Sequence, residues 1–351
     1  MARLRAERSN LRAVLSRALE TEELEPAMWL VGLLWGWWEA LGWSEETRAW
    51  LDQALPRSTR PTLARCVALI EAARLDDTAG EYERAVTRYE EARRIAETED
   101  ESKWEAVALA ELGWRLAHSG RVSEGRSRCE EALALARELP DELTSSGALN
   151  NLGGVLLVEG NVAGARSLFE ECLALRRSAG AQLSIANVLG NLGWVAIHQA
   201  MYADAAEFLE EALAIARELG DSWHTAVMLV NLGWVELLRG SAADAEALFV
   251  EALAGLEEVI REPRASAECF LGLAGSALEL GDFRRAARLA AAGDALVERL
   301  GSTLAEPEVN VRERVRTAVE RAAWAEGRRM TLDEAVSLAL NTAGRSQARS
   351  R

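Results

Sequence analysis

Several residue types are scarce in this 351-residue sequence, and each shortage excludes a class of structure. There are only four cysteines, Cys66, Cys129, Cys172 and Cys269, and no two of them form a C-x-x-C pair. Isolated cysteines are typical of packing residues in a reducing compartment, not of a disulfide framework. The longest apolar run, residues 28–38, is about half of what a bilayer requires, and the opening "MARLRAERSN" has no apolar segment behind its charges. We therefore expect a soluble cytoplasmic protein with no membrane partner.

Positive charge is also in short supply. The 40 Lys and Arg residues face 56 Asp and Glu residues, which gives a formal charge of −16. An acidic surface repels a phosphate backbone, so we expect no direct binding to nucleic acid. Lys103 is the only lysine and follows no glycine in "ESKW", so a G-x-x-x-x-G-K-[ST] phosphate loop is excluded.

Catalytic patterns are missing as well. Of the three histidines, His118 and His198 stand 80 residues apart, too far along a helical stack to share a proton or a metal ion. No metal-ligand spacing, nucleophile motif or paired-carboxylate motif rises above the acidic background. The sequence therefore predicts neither an enzyme nor a bound metal or cofactor.

What the sequence does contain is a repeat with a step of 40 residues. Its marker is a Leu-Gly pair, found at Leu112-Gly113, Leu152-Gly153, Leu192-Gly193 and Leu232-Gly233. Seven residues after each glycine comes a small residue: Gly120, Gly160, Ala200 and Gly240. The same interval links Ala73 to Gly80, Ala274 to Gly281 and, more loosely, Trp35 to Gly42. The count reaches seven units.

The pattern of each unit predicts a helical hairpin. Apolar residues recur at spacings of three and four, with a glycine break between the two halves. The second helices carry a small-large-small pattern, as in Ala165-Phe169-Cys172 and Ala245-Phe249-Ala252. Small residues allow close helix packing, so we predict that Gly193 and Gly233 pack against the second helix of their own hairpin.

This combination of a Leu-Gly pair, a glycine turn and a small-aromatic-small spacing resembles the tetratricopeptide repeat over residues 30–300. The resemblance implies an all-α, right-handed superhelical solenoid of about seven helical hairpins. We expect an N-terminal capping helix at residues 1–29, capping helices at residues 301–343 and a disordered polar tail at residues 344–351. The last helix should begin with the capping box Thr331-x-x-Glu334.

The segments on either side of the repeats resemble those in bacterial signal-transduction ATPases with a transcription-factor output. In that family a nucleotide-binding module precedes the repeats and a helix-turn-helix domain is often fused at one end. We expect neither here, because the phosphate loop is missing and only "NTAGRSQARSR" follows Leu340. The resemblance implies a detached sensor or docking module whose partner is a protein or peptide, such as an ATPase or a DNA-binding regulator.

Polar and aromatic residues recur on one face of the first helices, on the side opposite the packing glycines. The positions concerned are Glu111, Trp114 and His118, then Asn151 and Gly154, then Asn191, Trp194 and His198, and finally Asn231 and Trp234. Solenoids join such faces into one concave surface. In tetratricopeptide proteins that surface is the usual peptide groove, and Asn151, Asn191 and Asn231 resemble the asparagine that holds a ligand's backbone.

Two interpretations of these positions stay open at the sequence level. The tryptophans can be packing residues, and the asparagines can bridge neighbouring helices. The alternative, a ligand groove, is favoured by the absence of charge: residues 183–202 contain no Asp, Glu, Lys or Arg. A helix that is apolar nearly all round is covered on both sides or covers a ligand.

Gly154 interrupts the pattern, because it stands where other repeats have Trp114, Trp194 and Trp234. A missing indole would leave a gap between Trp114 and Trp194, and indole walls with a few polar groups are typical of small-molecule sites. A sensor of a small metabolite with a pocket near Gly154 is therefore the alternative to peptide binding.

Overall fold

The computed structural model describes residues 6–34, 38, 43–259, 263–301, 304, 306–319 and 321–340. These residues form eighteen α-helices and include no β-strand. The helices are α1 (Arg8–Thr21), α2 (Leu24–Leu33), α3 (Ser44–Ala54), α4 (Leu63–Thr78), α5 (Tyr82–Thr98), α6 (Ser102–His118), α7 (Val122–Arg137), α8 (Glu142–Val158), α9 (Val162–Ser178), α10 (Gln182–His198), α11 (Tyr202–Leu219), α12 (Ser222–Leu238), α13 (Ala242–Val259), α14 (Pro263–Glu279), α15 (Phe283–Arg299), α16 (Glu306–Ala318), α17 (Arg321–Gly327) and α18 (Leu332–Leu340).

The chain divides into two compact units, Met1–Val188 and Leu189–Arg351, which we call unit 1 and unit 2. In unit 1 the hairpins α4–α5, α6–α7 and α8–α9 follow one another, and α2 packs against α4. In unit 2 the hairpins α12–α13 and α14–α15 pack together, and α16, α17 and α18 cover α14 and α15. The boundary between the units falls within α10, the first helix of the hairpin α10–α11.

The small residue at the end of each first helix is explained by backbone geometry. Gly120 and Gly240 both have φ of 88°, a left-handed conformation that glycine adopts without a steric penalty. Ala200 takes the same place with φ of 55°, which is unusual for a residue with a Cβ. The left-handed residue ends one helix and lets the chain turn into the next.

The helix pairs are held together by contacts that the repeat places at equivalent positions. A Cβ on Gly153 would lie 2.7 Å from Cε1 of Phe169, and one on Gly233 would lie 2.8 Å from Cε1 of Phe249. A Cβ on Gly193 would lie 2.6 Å from Cγ of Leu209. The large residue of each second helix therefore occupies the space that the glycine leaves, as predicted for Gly193 and Gly233. The all-α fold class built from helical hairpins is confirmed.

The described residues contain six hairpins, from α4–α5 to α14–α15; most of the earliest predicted unit, Trp35 to Gly42, lies outside them. The capping box is confirmed: the Thr331 backbone N–H donates to Glu334 Oε2 at 2.8 Å, and the Glu334 N–H donates to Thr331 Oγ1 at 3.2 Å. The polar tail at residues 344–351 also lies outside the described residues, and the predicted domain boundaries remain predictions.

The cysteines are packing residues in the structure. All four side chains are buried thiols, and burial raises the pKa of Cys66 and of Cys129 to about 12 and that of Cys172 to about 11. A thiol with so high a pKa is a poor nucleophile at neutral pH. In the part of the chain that the structure describes, no helix has the length and apolarity to cross a membrane.

Candidate ligand-binding stripes on the first helices

Unit 1 carries the residues Glu111, Trp114, His118, Asn151 and Gly154 on α6 and α8, which we call the unit 1 stripe. Glu111 accepts a hydrogen bond from Arg74 Nη2 at 2.8 Å, so its carboxylate already has a cationic partner. The rings of Trp114 and His118 lie 3.6 Å apart between centroids, and His118 Nδ1 is 3.0 Å from the Trp114 carbonyl oxygen. This end of the stripe is closed by its own side chains.

Gly154 does not leave the gap that the sequence predicted on the Trp114 side. A Cβ placed on Gly154 would fall well inside van der Waals distance of Cζ3 of Trp114. The indole of Trp114, on the neighbouring first helix, occupies the space that a side chain at this position of α8 would take. The missing side chain is used for helix packing, and that part of the pocket prediction is wrong.

Asn151 and a residue that the sequence analysis missed occupy the other end of unit 1. Asn151 is half-buried, and its Oδ1 accepts from Asn150 Nδ2 at 3.3 Å. Arg176 is buried and donates to the Ser184 carbonyl oxygen at 2.7 Å and to Asn187 Oδ1 at 3.5 Å. Burial lowers the pKa of its guanidinium from the ordinary value. Comparison of the repeats at their 40-residue spacing could have identified Arg176.

Arg176 departs from the residue type that the repeat has at this position. Equivalent positions carry alanine, at Ala136 and Ala216, whereas Arg176 is long enough to reach the start of α10. It thereby contacts Asn187, which stands one turn before Asn191 on the same helix. Arg176 thus links α9 to the first two turns of α10.

Unit 2 carries the residues Asn191, Trp194, His198, Asn231 and Trp234 on α10 and α12, which we call the unit 2 stripe. The two helices pack closely, since a Cβ on Gly190 would lie 2.6 Å from Cε of Met228. Trp194 and His198 are half-buried and meet edge to face, with centroids 5.6 Å apart. The stripe thus presents an indole and an imidazole side by side.

The two asparagines of the unit 2 stripe are both half-buried. Asn191 makes an interaction of its own. Asn231 has no hydrogen-bond partner among the described residues. Its amide atoms are not among the fully buried polar atoms, so they are accessible to solvent. An amide carries two donor hydrogens and an acceptor oxygen, so Asn231 retains hydrogen-bonding capacity at a solvent-accessible position.

Trp234 lies in the core, contrary to the prediction that it lines a groove. It is 1% exposed, and its indole meets the ring of Phe249 edge to face at 5.4 Å between centroids. The ring of Phe249 fills the space above Gly233 on α12 and Gly272 on α14, and the Trp234 indole lies against this ring. Trp234 therefore stabilises the α12–α13–α14 packing and offers no surface to a ligand.

The two stripes differ in charge. Near the unit 1 stripe, Asp77 on α4 lies 3.5 Å from Arg115 Nη1 and accepts from the Tyr89 hydroxyl at 3.3 Å. Burial raises the pKa of the Asp77 carboxyl to about 7, although Arg115 opposes the shift. The unit 2 stripe has no charged residue along its α10 face, because residues 189–202 contain no Asp, Glu, Lys or Arg. Of the two, the unit 2 stripe is the neutral surface.

Among the described residues, no group of three or more His, Cys, Asp and Glu is placed to hold a metal ion. Models of the tetratricopeptide repeat match residues 144–218 and residues 225–260. No curated protein sequence matches the chain. None of the matching families is catalytic, and the tetratricopeptide fold is generally a binding scaffold.

Solved structures extend this likeness beyond the matched residues. The chain resembles a Rap protein complexed with competence and sporulation factor, with a TM-score of 0.59, 13% identity and coverage of 100% of this chain and 99% of that one. It resembles the Rap conjugation gene regulator of plasmid pLS20 in complex with the Phr* peptide, with a TM-score of 0.59, 16% identity and coverage of 84% and 75%.

A third structure comes from Pyrococcus horikoshii and is a signal transduction ATPase with numerous domains that has a tetratricopeptide-repeat sensor. Its TM-score is 0.51 and its identity 13%, over 87% of this chain and 45% of that one. At such identities the likeness concerns the fold alone. The chain carries tetratricopeptide repeats, and it shares its fold with regulators and with the sensor of an ATPase.

Proposed function

We propose that this chain is a non-catalytic binding module that holds a peptide or a protein segment on the unit 2 stripe. The observation that carries the proposal is the half-buried amide of Asn231, which has no partner among the described residues and lies on the helix next to Trp194 and His198. A polar group that is removed from most of the solvent and unpaired within the protein is available to a ligand.

The chemistry of the unit 2 stripe suits a peptide backbone. An asparagine amide donates to a peptide carbonyl and accepts from a peptide N–H, so one side chain satisfies both groups of an extended segment. Trp194 supplies apolar area beside it, and an indole contributes much of the binding energy in many interfaces. Because the α10 face carries no charge, the ligand segment should itself be apolar or weakly charged.

The proteins of similar fold support a regulatory role. One of them is a Rap protein complexed with competence and sporulation factor, and another is a Rap conjugation gene regulator in complex with the Phr* peptide. A third is a signal transduction ATPase with a repeat sensor. By analogy of fold we propose that this chain is the sensor-like part of a bacterial transcriptional regulator in the cytoplasm. Its protein partner would be an ATPase or a DNA-binding regulator.

The small-metabolite alternative is weaker than peptide binding. It depends on space beside Gly154, and the Trp114 indole occupies that space within unit 1. His118 of the same stripe lies against the Trp114 ring, and Glu111 is paired with Arg74. The polar groups that would have fixed a metabolite near Gly154 are therefore already engaged within the protein.

A peptide-display selection tests the proposal directly. Random peptides selected on the immobilised full chain should bind it saturably. Their affinity should fall about tenfold in Asn231→Ala and in Trp194→Ala, because a hydrogen-bond pair and a large apolar contact are lost. Asn310→Ala, an exposed asparagine on α16 away from the stripe, is the matched control and should bind as the wild type does. Peptides that bind all four proteins equally would contradict the proposal.

A further inference from the structure

A second surface of unit 2, far from the stripe in sequence, forms a cleft of about 750 Å³ near the C-terminal helices. Its walls come from α15, α16 and α17 and from Leu304 between the first two of these. Its lining combines three arginines and two acids with apolar side chains and one indole. A volume of this size is within the usual range for sites that hold small organic molecules.

One carboxylate orders two of the three arginines. Asp294 accepts from Arg312 Nη1 at 3.2 Å through Oδ1 and from Arg328 Nη1 at 3.1 Å through Oδ2. Arg328 also donates to Glu298, which holds the pKa of its guanidinium above the ordinary value. These contacts join α15, α16 and Arg328, which directly follows α17, so ion pairs within the protein hold the rim of the cleft together.

Arg316 stands apart from this ion-pair chain. Its Cζ lies 5.7 Å from the centroid of the Trp324 ring, and it makes no ion pair with any of the described carboxylates. The guanidinium therefore keeps its donors for another anion, while the half-buried indole of Trp324 presents a flat apolar wall beneath it. Val297, Leu304 and Val309 extend the apolar lining on the other walls.

The charges of the lining define the ligand further. Three arginines and two acids leave a net charge of +1 in a chain whose total is −16, so a positive site here is local and not a property of the whole surface. A polyanion would meet Asp294 and Glu298 at close range, and a cation would meet three guanidinium groups. A single negative charge on an apolar body fits both parts of the cleft.

We propose that this cleft binds a small aromatic monoanion, such as an aromatic carboxylate, with its charge on Arg316 and its ring against Trp324. The site is independent of the peptide-binding stripe, because it is built from α15, α16 and α17 and uses none of the stripe residues. An organic effector bound in this cleft would contact α16 and α17, which pack on α14 and α15.

The test uses two probes that share one aromatic framework. 1-Anilinonaphthalene-8-sulfonate carries one negative charge, and N-phenyl-1-naphthylamine is its neutral counterpart. Titration of the full chain with the sulfonate should give saturable binding of one probe per chain. Arg316→Gln should weaken the sulfonate about tenfold and leave the neutral probe within about twofold, since only a charge-assisted hydrogen bond is removed. Trp324→Ala should weaken both probes.

Arg314→Gln is the matched control, because Arg314 lies on the same helix but pairs with Glu279 outside the cleft. It should bind both probes as the wild type does. Melting curves recorded beside each titration show whether a variant is folded, which excludes dye binding to loosened protein. The proposal is overturned if Arg316→Gln affects both probes alike, if neither substitution changes sulfonate binding, or if folded wild-type protein binds no sulfonate.

Discussion

Gly193 on α10 and Leu209 on α11 fit together so closely that a single methyl group would disturb them. A Cβ on Gly193 would lie 2.6 Å from Leu209 Cγ and 2.7 Å from Cδ2. Gly233 and Phe249 repeat the same relationship forty residues later, with 2.8 Å between the added Cβ and Cε1. Because interiors are close-packed, neither second helix can accept extra volume without moving.

Replacing either glycine by leucine should therefore destabilise the protein. We expect Gly193→Leu and Gly233→Leu to lower the free energy of unfolding by about 1–3 kcal/mol or more, through overpacking of the hairpin. The measurement is the midpoint of urea unfolding followed by circular dichroism. The matched control is Gly255→Ala in α13, where an added Cβ meets nothing within 4 Å. It should be neutral or gain about 0.4–1 kcal/mol. Unaltered midpoints in both leucine variants would refute the packing assignment.

Asp77 should make stability depend on pH. Its carboxyl has a pKa of about 7 in the folded protein, raised by burial from the ordinary 3.8. Between about pH 4 and pH 7 the folded form keeps a proton that the unfolded chain releases, so the free energy of unfolding falls as the pH rises. This contribution levels off above about pH 7 and is complete below about pH 4.

The measurement for Asp77 is a difference between two proteins. Urea unfolding of the wild type and of Asp77→Asn, recorded from pH 4 to pH 8, cancels the titration of all other groups. The wild type should lose stability relative to the variant as the pH rises to about 7, with a slope of at most about 1.4 kcal/mol per pH unit. Two parallel curves would show that Asp77 ionises normally, with Arg115 compensating for its burial.

Thr331 should stabilise the last helix through its capping hydrogen bond. Thr331→Ala removes the acceptor of the Glu334 N–H and should destabilise α18 by about 1 kcal/mol. Faster amide hydrogen exchange at residues 332–340 is the direct measurement. Thr317→Ala is a suitable comparison, because this exposed threonine only donates to carbonyl oxygens of its own helix. Equal exchange in α18 of both variants would argue against the cap.

Nucleotides should leave the melting temperature unchanged. A ligand that binds only the folded state raises stability by RT ln(1 + [L]/Kd), and the sequence has no phosphate loop. Lys103, its only lysine, has its Nζ 2.6 Å from Asp141 Oδ2 at the start of α8 and is engaged there. A thermal shift assay with millimolar ATP and magnesium is the check. A clear rise in the melting temperature would reveal a nucleotide site.

The sequence predicts those features of the fold that depend on local spacing. The glycines at 193 and 233, the large residues at 209 and 249 and the left-handed turn residues all recur every 40 residues, and each has a local steric cause. Thr331 and Glu334 satisfy each other within a single turn. Contacts of this kind are fixed by sequence separation, so periodicity reveals them.

The features that sequence reasoning missed depend on neighbours that are distant in sequence. Trp234 follows the same pattern as Trp194, yet it is buried against Phe249 of α13, whose ring fills the space above Gly233 and Gly272. The gap expected at Gly154 is filled by Trp114 from the preceding hairpin. The cleft beside Trp324 is lined by residues that are distant in sequence. Asp294 and Arg328, for example, are 34 residues apart and form an ion pair there. The 40-residue repeat does not predict such contacts.

The amides of the unit 2 stripe decide the central claim. If Asn231 serves a ligand, Asn231→Ala removes no hydrogen bond within the described structure and should leave the stability nearly unchanged. Because Asn191 makes an interaction of its own, the double variant Asn191→Ala, Asn231→Ala is compared with Asn191→Ala alone. Should Asn231 bridge neighbouring helices instead, the double variant would be about 1–3 kcal/mol less stable than Asn191→Ala.

The most direct measurement is urea unfolding of Asn231→Ala, combined on the same preparation with its affinity for a display-selected peptide. The account predicts an unchanged midpoint and m-value together with binding that is about tenfold weaker than that of the wild type. A lower midpoint at constant m-value with undiminished peptide binding would contradict it, because the repeated asparagine would then be a structural residue and not a ligand contact.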